Sequence, residues 1–439
     1  MKKFNLIITT LMLVFSSAYA TTPFKTTSWH TKTGALVIFY QAMEVPILDI
    51  TIAFAAGSAY DLQDFGLSTL TLKLLNQGNN GEDSTTIAEK LADTGAQYEA
   101  INNQDMVVLN LKTLTDDKPL NESIKIYKDI ITRPDFREDA FMQEKSQQLM
   151  AIKQTLESPE AIANQAFFQM LYKNHPYAHP VIGNHDSVNN LTVEKVKNFY
   201  HKYFVSKNAI IVLVGAINEQ TAKKISENLT KDLPEGKKAE KIPLANELSE
   251  EMDIEVPFKA SQTVIYLGQL AITHHDPNYF PLLVGNYILG GGSSLDSQLS
   301  KELREKRGLT YGVSSQIALM KANGPFIISF STKSTNTKEA LDVARKTLTK
   351  FINNGATEEE LIAAKQYLTG SFPLSLASNR NIAYMLLKIA FYQMPDDFIT
   401  TYIEKINAVT LKEIKLALER LIKPNKLLQV SVGKNGNKS

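Results

Sequence analysis

Leu191–Gly215, LTVEKVKNFYHKYFVSKNAIIVLVG, and Val409–Gly433, VTLKEIKLALERLIKPNKLLQVSVG, are the same pattern written twice, without a gap, at a constant offset of 218. Thr192 lies opposite Thr410, Lys197 opposite Lys415 and Gly215 opposite Gly433. Each copy reads as a helix, a short turn and a buried strand. A second pair, the G-x-x-Y of Gly95 and Tyr98 against Gly308 and Tyr311, repeats at a nearly equal offset of 213. Nearly equal offsets over two distant segments imply a duplicated chain, each half an α/β sandwich with a largely antiparallel sheet and helices packed on one side. The fold class is α+β.

Working outward, alternating apolar and β-branched residues predict strands over Ala35–Tyr40, Ile47–Ala55, Gln97–Ile101, Met106–Lys112 and Ala209–Val214. Helical periodicity predicts Phe65–Leu75, Ser84–Asp93, Leu120–Thr132, Glu138–Leu156, Glu160–Tyr172 and Thr192–Phe204. The stretch PEGKKAEKIPLANELSEE, Pro234–Glu251, is charged, punctuated by proline and aperiodic, and reads as an interdomain linker. The order of elements then begins again. The expected organisation is a leader over 1–20, a first domain over 21–233, the linker over 234–251 and a second domain over 252–439.

MKKFNLIITTLMLVFSSAYA joins Lys2 and Lys3 to an apolar run, Leu6–Phe15, and ends in Ala18-Tyr19-Ala20. That is the build of a cleaved secretory signal, the apolar run being shorter than the roughly 20 residues a spanning helix needs. Export to the periplasm, cleavage after Ala20 and no membrane span in the mature chain are expected. With 47 Lys and Arg against 46 Asp and Glu, no bulk field favours nucleic acid. Cysteine is absent, which excludes disulfides, thiol nucleophiles and thiolate metal sites. Gly290-Gly291-Gly292 with Ser293 and Ser294 lacks the Lys-Ser/Thr ending of a phosphate-binding loop, and there is no G-x-S-x-G elbow.

Stretches spread over nearly the whole mature chain resemble the pitrilysin-like (M16) peptidases. VPILDITIAFAAGSAYD from Val45 is similar to the family's opening strand and A-G-S turn, and the segment from His175 to Gly215 to the close of its first domain. NYILGGGSSLDSQLSKELREKRGLTYGVSS from Asn286 resembles the family's glycine-rich segment and Arg/Tyr motif. The resemblance implies the M16/LuxS-like metallohydrolase fold in each half.

Active relatives carry H-x-x-E-H on the helix that here reads GLSTLTLKLLN, Gly66–Asn76, which places Thr69 and Lys73 at the two ligands and Leu72 at the base. Residues at i, i+3 and i+4 share one helix face, so that spacing suits two histidines and a water-activating glutamate. A hydroxyl, an alkyl group and an ammonium do not replace them. The family's third ligand, a glutamate, would fall near Gln148 to Met150, where no carboxylate stands; Glu144 and Glu157 lie off the spacing. The resemblance further implies that Arg304 and Tyr311, seven apart, reach into a zinc site to hold substrate and its developing oxyanion, a role for which a guanidinium and a phenol are suited as donors. Gly290, Gly291 and Gly292 are either a peptide-contacting loop, as in relatives, or a helix-initiating turn capped by Ser294.

His175, His179 and His185 with Asp186 read as a surface loop, since Pro176 and Pro180 break any helix that would align them. His274 and His275 read similarly, with a cleft-lining role open. The expectation for function is the non-metal subunit of a heterodimeric periplasmic zinc peptidase: a partner subunit brings H-x-x-E-H and zinc, and this chain binds no cofactor and supplies Arg304 and Tyr311 to act on a peptide. The alternative is an inactive M16-like protein with a structural or peptide-binding role, comparable to the M16-like core subunits of respiratory complexes.

Overall fold

The computed structural model describes residues 24–291 and 296–434; residues 1–20, read as a leader, and Gly292 and Ser294 lie outside them. The first half runs β1 Thr27–His30, β2 Leu36–Gln41, β3 Ile47–Phe54, α1 Leu67–Leu74, β4 Gly78–Asn79, β5 Glu82–Asp83, α2 Ser84–Asp93, β6 Gln97–Asn102, β7 Val107–Leu114, α3 Asp117–Thr132, α4 Glu138–Thr155, α5 Pro159–Tyr172, α6 His185–Asn189, α7 Val193–Tyr203, β8 Ala209–Gly215 and α8 Glu219–Thr230. The second runs β9 Met252–Pro257, β10 Gln262–Leu270, α9 Tyr279–Leu289, β11 Val313–Ile317, β12 Pro325–Lys333, α10 Thr337–Asn354, α11 Glu358–Ser371, α12 Asn379–Phe391, α13 Phe398–Ala408, α14 Leu411–Leu421 and β13 Leu428–Gly433. The strands and helices read from sequence in the first half all form, with ends shifted by three residues or fewer.

The two large sheets have one plan. Their orders are β1-β2-β8-β3-β7-β6 and β9-β13-β10-β12-β11, so β2, β8, β3, β7 and β6 correspond in turn to β9, β13, β10, β12 and β11. In each sheet one pair is parallel, β2 with β8 and β9 with β13, and the rest are antiparallel. The repeated threonines open α7 and α14: Thr192 accepts from the Lys195 amide at 3.3 Å and Thr410 from the Glu413 amide at 3.2 Å. Gly95 and Gly308 both adopt positive φ, 67° and 60°.

Strand alternation then divides β3 between two cores. Leu48, Ile50, Ile52 and Phe54 face the helices of their own half, whereas Ala53, with Val108, Val212 and Val214, belongs to a core built with the second half. The helix on that second face is α12, which packs across β3 and β8. Arg380 of α12 stands 3.8 Å from buried Asp49 and pairs with Glu99, and Asn110 donates to the Tyr384 hydroxyl at 3.1 Å. Reciprocally, α5 of the first half lies across β10 and β13, with the Phe167 and Tyr266 rings 5.9 Å apart. Each sheet therefore carries its own helices on one face and receives one helix from the other half on the opposite face.

The exchanged helices end alike. Tyr172 closes α5 and is followed by Lys173 at φ 50°; Tyr392 follows α12 and precedes Gln393 at φ 55°. The Tyr172 hydroxyl donates to the Asn323 carbonyl at 3.0 Å, and the Tyr392 hydroxyl to Asp105 at 3.0 Å, each reaching the strand connection of the opposite half. Segment 234–251 forms no helix or strand, yet it is tied down along its length. Asn323 brackets Ala245 through bonds of 2.8 and 3.1 Å, the Ala239 amide donates to Asn208 at 3.1 Å, and Leu248 is buried.

Candidate functional site

The α1 helix begins at Gly66, whose φ of 93° only glycine adopts without strain. Asp61 supplies the cap from five and seven residues back, accepting the Gly66 amide at 2.7 Å and the Ser68 amide at 2.8 Å. Burial pushes the Asp61 carboxyl up to about 8, against the opposing pull of the Ser68 and Gly66 amides. Thr69 and Lys73 lie one turn apart on the half-buried face of α1, and Leu72 is buried.

Each of the three is engaged in something other than metal. The Thr69 hydroxyl donates to the Val181 carbonyl at 2.7 Å and accepts from Asn102 at 2.9 Å. The Lys73 ammonium lies 4.0 Å from the Glu144 carboxylate on α4. Burial raises the Glu144 pKa and the Lys73 charge lowers it. Gln148, one turn further along α4 and fully buried, donates to the Gly66 carbonyl at 3.0 Å and the Ile182 carbonyl at 2.8 Å. Segment 180–183 is thereby laid across the first turn of α1. A Cβ on Gly183 would stand 2.3 Å from the Phe65 carbonyl oxygen, and one on Gly66 2.5 Å from the Ile182 oxygen, so the two backbones meet where no side chain fits. These residues do not fit zinc: the ammonium stands at one ligand position, the alkyl group at the base, and the hydroxyl at the other ligand position is spent on a backbone carbonyl. Glu144, set aside on spacing, is the carboxylate that the packing of α4 on α1 brings to the motif.

Among the described residues no group of three His, Cys, Asp or Glu side chains converges to hold a metal. His179 stacks on Phe65, ring centroids 4.2 Å apart, and burial lowers its pKa. His175 bonds the Pro243 carbonyl at 2.8 Å, and His185 is exposed beside Asp186. His274 corrects the surface expectation. It is 6% exposed, stacked on Tyr392 at 3.9 Å, and desolvation pulls its pKa down to about 3.

The second constellation is presented outward. Arg304 lies in the π-helical segment Ser300–Glu305, exposed, with Nε 3.6 Å from Glu305. Tyr311 is 84% exposed, not half-buried as an ordinary strand tyrosine would be. Its backbone is nevertheless fixed. The Gly308 amide returns to the Arg304 carbonyl at 2.9 Å, Thr310 bonds Gly312 in both directions, and Thr332 holds the Leu309 carbonyl at 2.6 Å. Gly290 is the C-cap of α9, and its carbonyl accepts the Ser315 amide of β11 at 2.9 Å; Gly291 packs on Asn286. A cleft of about 400 Å³ opens there between α9 and β11, with Tyr287, Ser314 and Gln316 in its walls.

A duplicated pair of sheets with exchanged helices, a motif helix whose side chains do not fit zinc and an outward Arg/Tyr pair define a two-domain scaffold with no metal-binding cluster among the described residues. Residues 37–185 match the family model described as insulinase (peptidase family M16), and residues 190–368 match that of the peptidase M16 inactive domain. The chain belongs to the M16 peptidase family. It is similar to the crystal structure of a peptidase M16 inactive domain from Pseudomonas fluorescens, with a TM-score of 0.91 and 32% identity over 94% of this chain and 99% of that one. It is 27% identical over 399 residues to the non-peptidase homolog YmxG of Helicobacter pylori, covering 86% of this chain and 87% of that one. Complex III2 from Candida albicans contains a chain of the same fold, with a TM-score of 0.77 at 16% identity over 93% of this chain and 95% of that chain.

Proposed function

We propose that this protein is the non-metal subunit of a heterodimeric zinc peptidase of the periplasm. Its partner carries H-x-x-E-H and zinc, and this chain contributes Arg304 and Tyr311, with Gly290, Gly291 and Gly292 against the peptide substrate. The observation that carries this reading is Tyr311: a phenol on an anchored turn, 84% exposed, with its donor directed away from its own core. The α1 face opposite in role presents Lys73, paired with Glu144, where an active relative has a metal ligand, so this reading assigns the group on which Tyr311 acts to a partner chain.

A second reading, an inactive M16-like protein with a structural or peptide-binding role, is favoured by the hydrogen bonds that close segment 180–183 over α1. Mixing the purified chain with an H-x-x-E-H subunit from the same cell separates the two. A stable complex with peptidase activity absent from either component supports the first; a complex without activity, or none, supports the second.

A further inference from the structure

The groove between α2 and α3 takes no part in the site described above. It measures about 300 Å³, the lower end of the range for small-molecule sites. Ile87 of α2 and half-buried Ile126 of α3 give it apolar walls. Its charged lining is Glu82, Asp93, Glu122 and Asp129 against Lys90 and Lys125, a net of −2 in a chain whose overall charge is +1. Lys90 is paired with Glu82 and Asp129 with Arg133 at 3.8 Å, whereas Asp93 and Glu122 enter no ion pair among the described residues.

An independent observation comes from Asn79 of β4, which also lines the groove and is 3% exposed. Its amide nitrogen donates to the Leu75 carbonyl at 2.6 Å and the Asp129 carbonyl at 3.4 Å, which fixes the orientation of the amide. Oδ1 is left buried with no hydrogen-bond partner. A buried carbonyl without a donor accepts from whatever enters beside it, a water or a ligand N–H.

We propose that this groove binds an alkylammonium or guanidinium group, the hydrocarbon stem between Ile87 and Ile126, the N–H donors shared by Asn79 Oδ1, Asp129 and Glu122. The sign of the lining disfavours an anion. A bare metal ion is poorly served, because no three carboxylates or histidines converge there. The chemistry has two sources, the basic side chain of a peptide and a free diamine.

The test titrates the intact chain with putrescine and, separately, with an end-capped peptide containing one lysine, while following the Ile87 and Ile126 δ1-methyl resonances. Saturable shifts confined to these methyls are expected, absent for the same peptide with norleucine. Saturation by both probes assigns recognition to the amine alone, and saturation by the peptide alone assigns it to a side chain. Glu122→Gln with Asp129→Asn should weaken binding by about tenfold or more. Asp93→Asn, at an exposed position, provides a second variant that leaves the core untouched and should weaken binding in the same direction. No saturable shift with either probe, or unchanged affinity in folded variants, overturns the proposal.

Discussion

The Lys73 ammonium stands 4.0 Å from the Glu144 carboxylate, an ion pair at the place where the helix of an active M16 enzyme presents a metal ligand. A fixed cation on this face opposes a dication, and the neighbouring Thr69 and Leu72 offer no strong donor to offset that. The purified chain is therefore expected to hold no stoichiometric zinc after dialysis and to cleave no peptide alone. Metal analysis and a chelator-controlled peptidase assay check this; chelator-sensitive cleavage by the lone chain would refute it.

In the complex with an H-x-x-E-H partner, Arg304→Ala and Tyr311→Phe are expected to lower turnover by about 10²-fold to 10³-fold, because donors aimed at a developing oxyanion act in the transition state. Both side chains are exposed, so folding and assembly should not change. Steady-state kinetics together with light scattering read the two effects separately. Wild-type rates in both assembled variants would make the pair merely structural.

Gly183→Ala and Gly95→Ala should differ sharply although both positions have positive φ. Around Gly95 there is open space, so the cost is about 1 kcal/mol of backbone strain. At Gly183 the new Cβ meets the Phe65 carbonyl oxygen at 2.3 Å and must push segment 180–183 off α1, costing roughly 3 kcal/mol or more. Urea unfolding midpoints compare them; equal losses would show that the segment is not held as described.

Tyr392→Phe removes one donor from buried Asp105, which also accepts from Tyr177 and the Lys321 amide. A loss of about 1.5–3 kcal/mol is expected, against about 1 kcal/mol for Tyr172→Phe, whose acceptor is a neutral carbonyl. Since α5 and α12 each cover the other half's sheet, both losses should appear in one cooperative transition, and residues 24–251 alone should not fold to a monomer. Calorimetry showing two independent transitions would contradict the exchange.

Desolvation between Tyr392 and the second core lowers the His274 pKa from 6.5 to about 3, so the folded state resists charging this ring. The unfolded chain binds the proton first as pH falls through 6.5. The stabilisation from neutral His274 is thus full above pH 6.5 and is lost progressively towards pH 3. His274→Phe keeps the stack on Tyr392 and cannot charge. Its unfolding free energy should decline less steeply than wild type between pH 7 and 4, as denaturant titrations at several pH values would show; parallel declines would remove His274 as the cause.

The duplication and the alternation of β3 were legible in the chain, because helix period and strand period are set within a few residues. The mismatch of Thr69, Leu72 and Lys73 with H-x-x-E-H was legible for the same reason, since one helix turn fixes which side chains share a face. Tertiary structure alone decided which residues serve the vacated positions. Glu144 and Gln148 come from a helix some seventy residues away, and only the packing of α4 on α1 sets their rotation. The 234–251 segment has the composition of a loose linker, but Asn323 and Asn208 supply the hydrogen bonds its backbone lacks locally. The exchange of α5 and α12 was equally out of reach. Amphipathic periodicity says that a helix has a face to bury, and nothing in it says which of two similar sheets will cover that face.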